Sequence, residues 1–201
     1  DQWVNALRPD TSLAVINFPH NPTGTMISML QLQLMVDSCK ENDCWLFSDE
    51  VFRGLEYNGA DRLPPVASLY DKGISLGVIS KAYGLGGVRV GWIACQNQSL
   101  LRRMLEIKHF LSICNGRADE ILAILALGHK DQLLDNNRQI IQRNLLLIHQ
   151  QLAMDSPAIK WHQPNAGCVA YPQLAGAQDS EEFARGLLEK TGVMVVPGHC
   201  F

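Results

Sequence analysis

One lysine lies between an apolar run and a cluster of glycines in the stretch VISKAYGLGGVRVGW, residues 78–92. A lysine in a loop is most often an exposed cation, but Lys81 follows the run 76–79, whose composition is typical of a buried strand. Desolvation at a buried strand end would favour the neutral amine, which is a nucleophile able to form a Schiff base with a carbonyl compound. Ser80 and Arg89 lie on either side of Lys81 in the sequence and offer hydrogen bonds that suit a phosphate.

Two further polar side chains lie where predicted strands end. Asp49 follows the run CWLFS, and Asn21 begins the turn NPTG after the run LAVINF. Ligands of open parallel sheets bind in the crevice outside such strand ends, which favours one common site. Each residue also has an ordinary interpretation, because an acid at this place can cap a helix and an Asn-Pro pair can form a plain turn.

Taken together, these side chains match the functional groups of pyridoxal 5′-phosphate (PLP). An amine suits its carbonyl carbon, an amide and a carboxylate suit the ring, and a serine with an arginine suits the phosphate. A carboxylate that faces the pyridine nitrogen keeps this nitrogen protonated, so that the ring remains an electron sink.

The elements that must position these residues alternate between strand and helix. The patterns predict strands at 13–18, 44–50, 75–80 and 91–95, and helices at 29–42, 98–111, 118–129 and 131–154. Ser28 is expected to cap the first of these helices. The strand–helix–strand order at the start predicts two parallel strands with a right-handed crossover. The fold class is therefore α/β, with a mostly parallel sheet and helices on both faces.

The pattern changes near residue 157, where shorter elements begin. It predicts strands at AIKWH (158–162), GCVAYP (167–172) and VMVVP (193–197), and a helix at 180–190. We therefore predict that residues 1–135 form part of a large domain. Residues 136–201 are predicted to form a linking helix and the start of a smaller α+β domain.

Composition excludes several classes of protein. The chain has 201 residues, of which 47% are hydrophobic, and its formal net charge of −3 gives no basic surface for nucleic acid. No apolar run approaches the roughly 18 residues that a membrane span requires. The six cysteines show no paired metal-ligand spacing, and their mostly apolar neighbours predict reduced core thiols of a cytoplasmic protein. The histidine spacing likewise predicts no metal site.

The order of the motifs NPTG, SDEVFRG and SKxxGLxGxRxGW resembles that of the class I and II aminotransferases, which belong to the fold-type I PLP-dependent enzymes. Later segments, from ICN at 113–115 through NAGCVAYP to VVPGHCF, resemble the same family, so the resemblance covers essentially the whole chain. The stretches DEVFRGLE and ISLGVISKAYGLGGVRVGW look closest to aminotransferase-like proteins near capreomycidine synthase, a cyclising enzyme.

The resemblance implies a role for each candidate residue. Lys81 matches the family's Schiff-base lysine, and Asp49 matches the acid that pairs with the pyridine nitrogen. Asn21 matches the asparagine that binds the ring's 3′ oxygen. Ser80 and Arg89 match ligands of the phosphate.

Phe52 departs from the family's pattern. This position, three residues after the acid, often carries a tyrosine whose hydroxyl also binds the 3′ oxygen. Phe52 is therefore expected at the cofactor without this donor.

The resemblance also implies an activity and an assembly. The expected reaction is ping-pong transfer of an amino group from an amino acid to a 2-oxo acid, by a cytoplasmic homodimer in which the loop around Cys114 and Asn115 approaches the neighbouring site. Another PLP reaction (cyclase, lyase or decarboxylase) and a non-catalytic aminotransferase-like sensor domain remain open. The family's phosphate-binding helix start, stacking aromatic ring and carboxylate-binding arginine are expected outside residues 1–201, so we expect the chain to be a fragment.

Overall fold

The protein is described here by a computed structural model that covers residues 2–152, 159–176 and 179–201. The helices are α1 (Gln2–Ala6), α2 (Met29–Glu41), α3 (Gln98–Leu111), α4 (Arg117–Gly128), α5 (Lys130–Leu152) and α6 (Ser180–Thr191). The strands are β1 (Leu13–Asn17), β2 (Trp45–Asp49), β3 (Gly73–Val78), β4 (Gly91–Cys95), β5 (Ile159–Lys160) and β6 (Gln173–Leu174).

The larger sheet has the strand order β1-β2-β3-β4. The first three strands are parallel and β4 is antiparallel to β3, which confirms the predicted α/β class with a mostly parallel sheet. In the register, Asn17 pairs with Asp49 and Val78 pairs with Gly91. The carboxyl ends of β1, β2 and β3 therefore meet the start of β4 at one edge of the sheet, which we call the strand-end edge.

The local signals for α2 are confirmed. The Ser28 side chain accepts from the Gln31 amide, and the Gln31 side chain accepts from the Ser28 amide, so that the two residues form a capping box. The helix buries Leu32, Val36 and Cys39 in the main hydrophobic cluster of the sheet. Full burial of each large aliphatic side chain contributes about 1.5–3 kcal/mol, which fixes the helix on the sheet.

β3 ends two residues earlier than predicted. The backbone turns after Ile79, whose amide donates to Val90 O at 3.1 Å and whose carbonyl accepts from the Leu85 amide at 3.3 Å. Ile79 is fully buried in a second cluster with Val88 and Ala123. Ser80 and Lys81 therefore lie in the turn beyond the strand and not within it.

The last part of the chain differs from prediction in two strands. The short antiparallel pair of β5 and β6 places its second strand at Gln173–Leu174, so the strand predicted at 167–172 is wrong. Residues 193–197 are irregular and mostly exposed, and they pair with no strand in the described part of the chain, so this predicted strand is also wrong. A strand needs a partner, which local composition does not supply. Residues 153–154 of the predicted helix and residue 158 of the predicted strand lie outside the described residues. The domain boundary at 135 stays a prediction.

The cysteine prediction is partly wrong. Cys39 and Cys44 are buried, whereas Cys114, Cys168 and Cys200 are exposed, and all six thiols are free. Within the described ranges, no group of three His, Cys, Asp or Glu side chains is placed to hold a metal ion. None of the helices described above is long and apolar enough to cross a membrane.

Candidate functional site

The strand-end edge brings together all the segments that carry predicted site residues. The NPTG turn follows β1, Asp49 ends β2, and the turn with Lys81 follows β3. Arg89 lies just before β4, whose antiparallel direction returns the chain to the same edge. The topology therefore places the five polar candidates on one side of the sheet.

Lys81 is exposed, whereas a buried amine was expected. Its neighbour Ala82 is fully buried, and the Ala82 amide donates to Val51 O at 3.3 Å. The chain thus anchors the residue after the lysine and leaves the lysine side chain open on the strand-end edge. The described residues leave Lys81 exposed, so the burial expected from the sequence is not found in the chain alone.

Arg89 is held toward Ser80 by an unusual backbone conformation. Its φ of 53° lies in the left-handed region, which costs a non-glycine residue about 1–2 kcal/mol. The guanidinium donates to Gly86 O at 2.9 Å and to Ser80 Oγ at 3.3 Å. A Cβ added at Gly87 would meet nothing within 4 Å, so the backbone beside Arg89 borders open space. The two side chains that were predicted to bind a phosphate are therefore already in contact with each other beside open space.

Asp49 is half-buried and partly serves its own turn. Its Oδ1 accepts from the Val51 amide at 3.1 Å, so it caps the turn after β2 and not a helix, which was the ordinary role considered from the sequence. Its backbone carbonyl accepts from the Phe18 amide at 3.3 Å, so β2 also fixes the start of the NPTG turn. The carboxylate is thus oriented by backbone bonds at the strand-end edge.

The turn that carries Asn21 is closed by hydrogen bonds of its own. The Gly24 amide donates to His20 O at 2.7 Å, and the Asn21 amide donates to Asn17 Oδ1 at 2.8 Å. His20 Nδ1 and Thr23 Oγ1 lie 2.8 Å apart, so the histidine belongs to the turn. Asn21 itself is exposed, and its side-chain amide is available on the strand-end edge.

Phe52 packs into the interior behind this edge. Only 3% of it is exposed, and it forms a cluster with Leu55, Ala82 and Leu134. Because Ala82 follows Lys81, the phenylalanine supports the lysine turn from below. Its contact with a cofactor stays a prediction.

Sequence reasoning missed two polar residues of α5 that hold the site loops. Asn137 Nδ2 donates to Ala82 O at 2.9 Å, and Arg138 Nη1 donates to Gly54 O at 3.3 Å. One signal was available, because Asn137 interrupts the apolar stripe that includes Leu134 and Ile141. A polar residue on a buried helix stripe usually has an internal partner.

A third missed residue is the buried acid Glu56. It is 1% exposed, and both carboxylate oxygens accept from the Gly54 amide, at 3.0 and 3.1 Å. Arg62 Nε donates to the same carboxylate at 2.9 Å. Glu56 therefore stabilises the loop that follows Asp49.

Comparison with known proteins gives matches over the whole chain. The sequence model of the family described as aminotransferase class I and II matches residues 1–201. Capreomycidine synthase of Streptomyces vinaceus is 31% identical over 201 residues, which are 100% of this chain and 51% of that protein.

Two solved structures are similar over almost the whole chain. A PLP-dependent aminotransferase from Streptococcus suis 89-1591 is 31% identical, with a TM-score of 0.92 over 100% of this chain and 52% of that one. The PLP-dependent cyclase OrfR is 27% identical, with a TM-score of 0.90 over 99% of this chain and 53% of that one. The chain thus spans about half the length of the relatives it matches.

Proposed function

The chain belongs to the class I and II aminotransferase family, and on that premise we propose that it forms the lysine-bearing part of a PLP-dependent aminotransferase. The proposed reaction moves an amino group between an amino acid and a 2-oxo acid by a ping-pong mechanism. The observation that carries the proposal is the meeting of Lys81, Asp49 and the Ser80–Arg89 pair on one edge of a parallel sheet.

The residues present fit PLP by their chemistry and surroundings. Ser80 and Arg89 would hold the phosphate, beside the open space at Gly87. Asp49, fixed by the Val51 amide, would hold the ring nitrogen in its protonated form. Asn21 would donate its side-chain amide to the ring's oxygen substituent.

When bound, PLP supplies a carbonyl carbon that reacts with amines and a ring that accepts electrons. Lys81 would hold the cofactor through its side-chain amine. Lys81 Nζ would also move the proton at the substrate's α-carbon, as general base and general acid. Its exposure in the described residues leaves the side chain room for both tasks.

The test is a pair of spectroscopic half-reactions on the protein expressed from its complete reading frame. The visible absorbance of bound PLP should disappear on adding an amino acid and return on adding a 2-oxo acid. Lys81→Ala should abolish this cycle, and Lys40→Ala, which changes an exposed lysine of α2 paired with Asp37, should leave it intact. A cycle that survives in Lys81→Ala would refute the proposal.

A second reaction on the same site is favoured by the relatives. One similar structure is a PLP-dependent cyclase and one relative is capreomycidine synthase, so cyclisation or another PLP reaction is the alternative. The bond that breaks is the one that substrate contacts hold perpendicular to the ring. Loss of substrate without formation of a 2-oxo acid would favour this alternative over transamination.

We also propose a cytoplasmic homodimer. The end of α3 and the loop after it carry Phe110, Leu111 and Ile113, which are 92%, 80% and 71% exposed. Such an apolar group next to Cys114 and Asn115 supports an interface at this loop. Sedimentation equilibrium of the full-length protein at micromolar concentration should give a dimer, and a monomer would contradict the proposal.

A further inference from the structure

A short segment from beyond α5 crosses the strand-end edge. We call residues 164–168 the strap. The amides of Asn165 and Ala166 both donate to Gly24 O, at 2.9 and 3.1 Å. Ala166 is fully buried, and a Cβ at Gly24 would lie only 2.7 Å from Ala166 O. The strap therefore lies directly against the turn that carries Asn21.

The strap is also bonded to the loop after β2. The Gly167 amide donates to Leu55 O at 3.0 Å, and the Tyr57 amide donates to Asn165 O at 3.1 Å. Glu56 and Ala166 form an antiparallel bridge between these two bonds. Two site loops, from β1 and β2, are thus joined through one distant segment.

Among the described residues, only Tyr57 makes a side-chain hydrogen bond to the strap. Its hydroxyl donates to Gly167 O at 3.0 Å, across 110 positions of sequence. Burial raises the pKa of Tyr57 to about 12, so the hydroxyl stays protonated and remains a donor at neutral pH. This hydrogen bond lies at the carboxyl end of the strap, at the last residue that makes a backbone hydrogen bond to the site loops.

Cys168 follows Gly167 at the end of the strap. Cys168 is exposed as a residue, yet burial around its sulfur raises the pKa of the thiol, and the positive charge of Lys81 opposes this rise. The strap thus runs from the turn that carries Asn21 to Cys168, and its last hydrogen bond is at Gly167.

From this geometry we infer that Tyr57 is a positioning residue, which holds the strap against the turn that carries Asn21 and the loop that follows Asp49, as a wall of the substrate side of the site. The inference rests on the proposed function. The wall contacts the substrate in the ground state and in the transition state alike, so a looser strap weakens binding more than it slows the chemical step.

Tyr57→Phe removes one hydroxyl and keeps the ring, and the chain offers a matched control. Tyr171 is also half-buried, and its hydroxyl donates at 3.1 Å to the carbonyl oxygen of Gly198, a residue outside the strap and outside the two loops to which the strap is bonded. In the full-length protein loaded with PLP, Tyr57→Phe should speed hydrogen exchange of the strap amides by about three- to tenfold. It should raise KM for the amino acid by a similar factor, about three- to tenfold, with kcat nearly unchanged. Tyr171→Phe should leave the strap amides and KM as in wild type.

The two readouts separate failure of the inference from failure of the proposed function. Unchanged strap exchange in Tyr57→Phe overturns the inference even if the protein transfers amino groups. If the strap amides exchange faster in Tyr57→Phe but the protein transfers no amino groups, the result supports the positioning role of Tyr57 and refutes the proposed enzymatic function. A fall in kcat with unchanged KM also overturns the inference.

A test on the wild-type protein remains if the variant fails to fold. The amides of Asn165, Ala166 and Gly167 should exchange together, and as slowly as that of Tyr57, because all four are donors within one hydrogen-bonded unit. Exchange of these strap amides at the rate of an open loop would overturn the inference.

Discussion

The strand-end edge at Asp49 and the turn around Glu56 lie next to each other in the chain, but their two acids differ in exposure and in hydrogen-bond partners. Asp49 is half-exposed, and its carboxylate accepts one hydrogen bond, from the Val51 amide. Glu56 is 1% exposed, and its carboxylate accepts from the Gly54 amide and from Arg62. The first acid keeps capacity for a ligand, whereas the second has internal partners.

This difference separates a residue that serves chemistry from one that serves stability. A buried charge is tolerated only when it is paired and hydrogen-bonded, so Glu56 must keep its partners. Asp49 lies where parallel strands end, which is the place for ligands in such sheets. A substitution at Glu56 should therefore lower the stability of the protein, whereas a substitution at Asp49 should lower its activity.

The largest effect on stability is expected from Glu56→Ala. The change leaves the Gly54 amide without its acceptor and Arg62 without its partner, and we expect the free energy of unfolding to fall by about 3 kcal/mol. Urea denaturation would measure it. Glu181→Ala is the control, because Glu181 pairs with Arg185 at the surface of α6, and it should cost less than about 1 kcal/mol. Equal losses in the two variants would remove the distinction between the regions.

Asp49→Asn should show the opposite behaviour. Asparagine still accepts from Val51 but carries no charge for a ring nitrogen, so kcat should fall by about 10- to 150-fold, the range for loss of a charged hydrogen bond. Steady-state kinetics and urea denaturation of the same sample would show reduced activity at nearly constant stability. Asp37→Asn, a surface change on α2, should affect neither quantity. If Asp49→Asn instead loses stability and keeps kcat, Asp49 is only a turn cap.

Ser80→Ala tests the phosphate side of the strand-end edge. The variant removes the hydroxyl that contacts Arg89, and the dissociation constant of PLP should rise by about tenfold. Equilibrium dialysis would measure this constant. Ser68→Ala removes an exposed hydroxyl that donates to Pro65 O, and it should leave the affinity unchanged. Equal affinity in Ser80→Ala and wild type would count against a phosphate at this place.

The smallest effect is expected from Phe52→Tyr. An added hydroxyl at the ring's 3′ oxygen competes for its lone pairs, so the pH midpoint of the visible absorbance of lysine-bound PLP should move down by about one unit or less. A spectrophotometric pH titration would detect the change. Phe110→Tyr, at a position that is 92% exposed, should reproduce the wild-type curve. Superimposable curves for Phe52→Tyr and wild type would show that position 52 does not reach the ring.

The features that were predictable from sequence depend on neighbouring residues. Ser28 and Gln31 lie three positions apart, so their capping box is visible as a pattern. Short apolar runs bounded by polar residues and glycines predicted β1, β2 and β4 to within two residues of their observed bounds.

The features that were not predictable depend on distant partners. The exposure of Lys81 follows from which segments cover the turn, and local composition carries no such information. The bond from Tyr57 to Gly167 and that from Asn137 to Ala82 join residues 110 and 55 positions apart. The strand predicted at 193–197 failed for the same reason, since pairing decides whether an apolar run becomes a strand.

The most direct test of the account is reductive labelling of Lys81 in the full-length protein. The protein is loaded with PLP, treated with borohydride, digested and analysed by peptide mass spectrometry. The account predicts a pyridoxyl group on Lys81 and on no other lysine. An unmodified Lys81 peptide, or a pyridoxyl group on a different lysine, would contradict it.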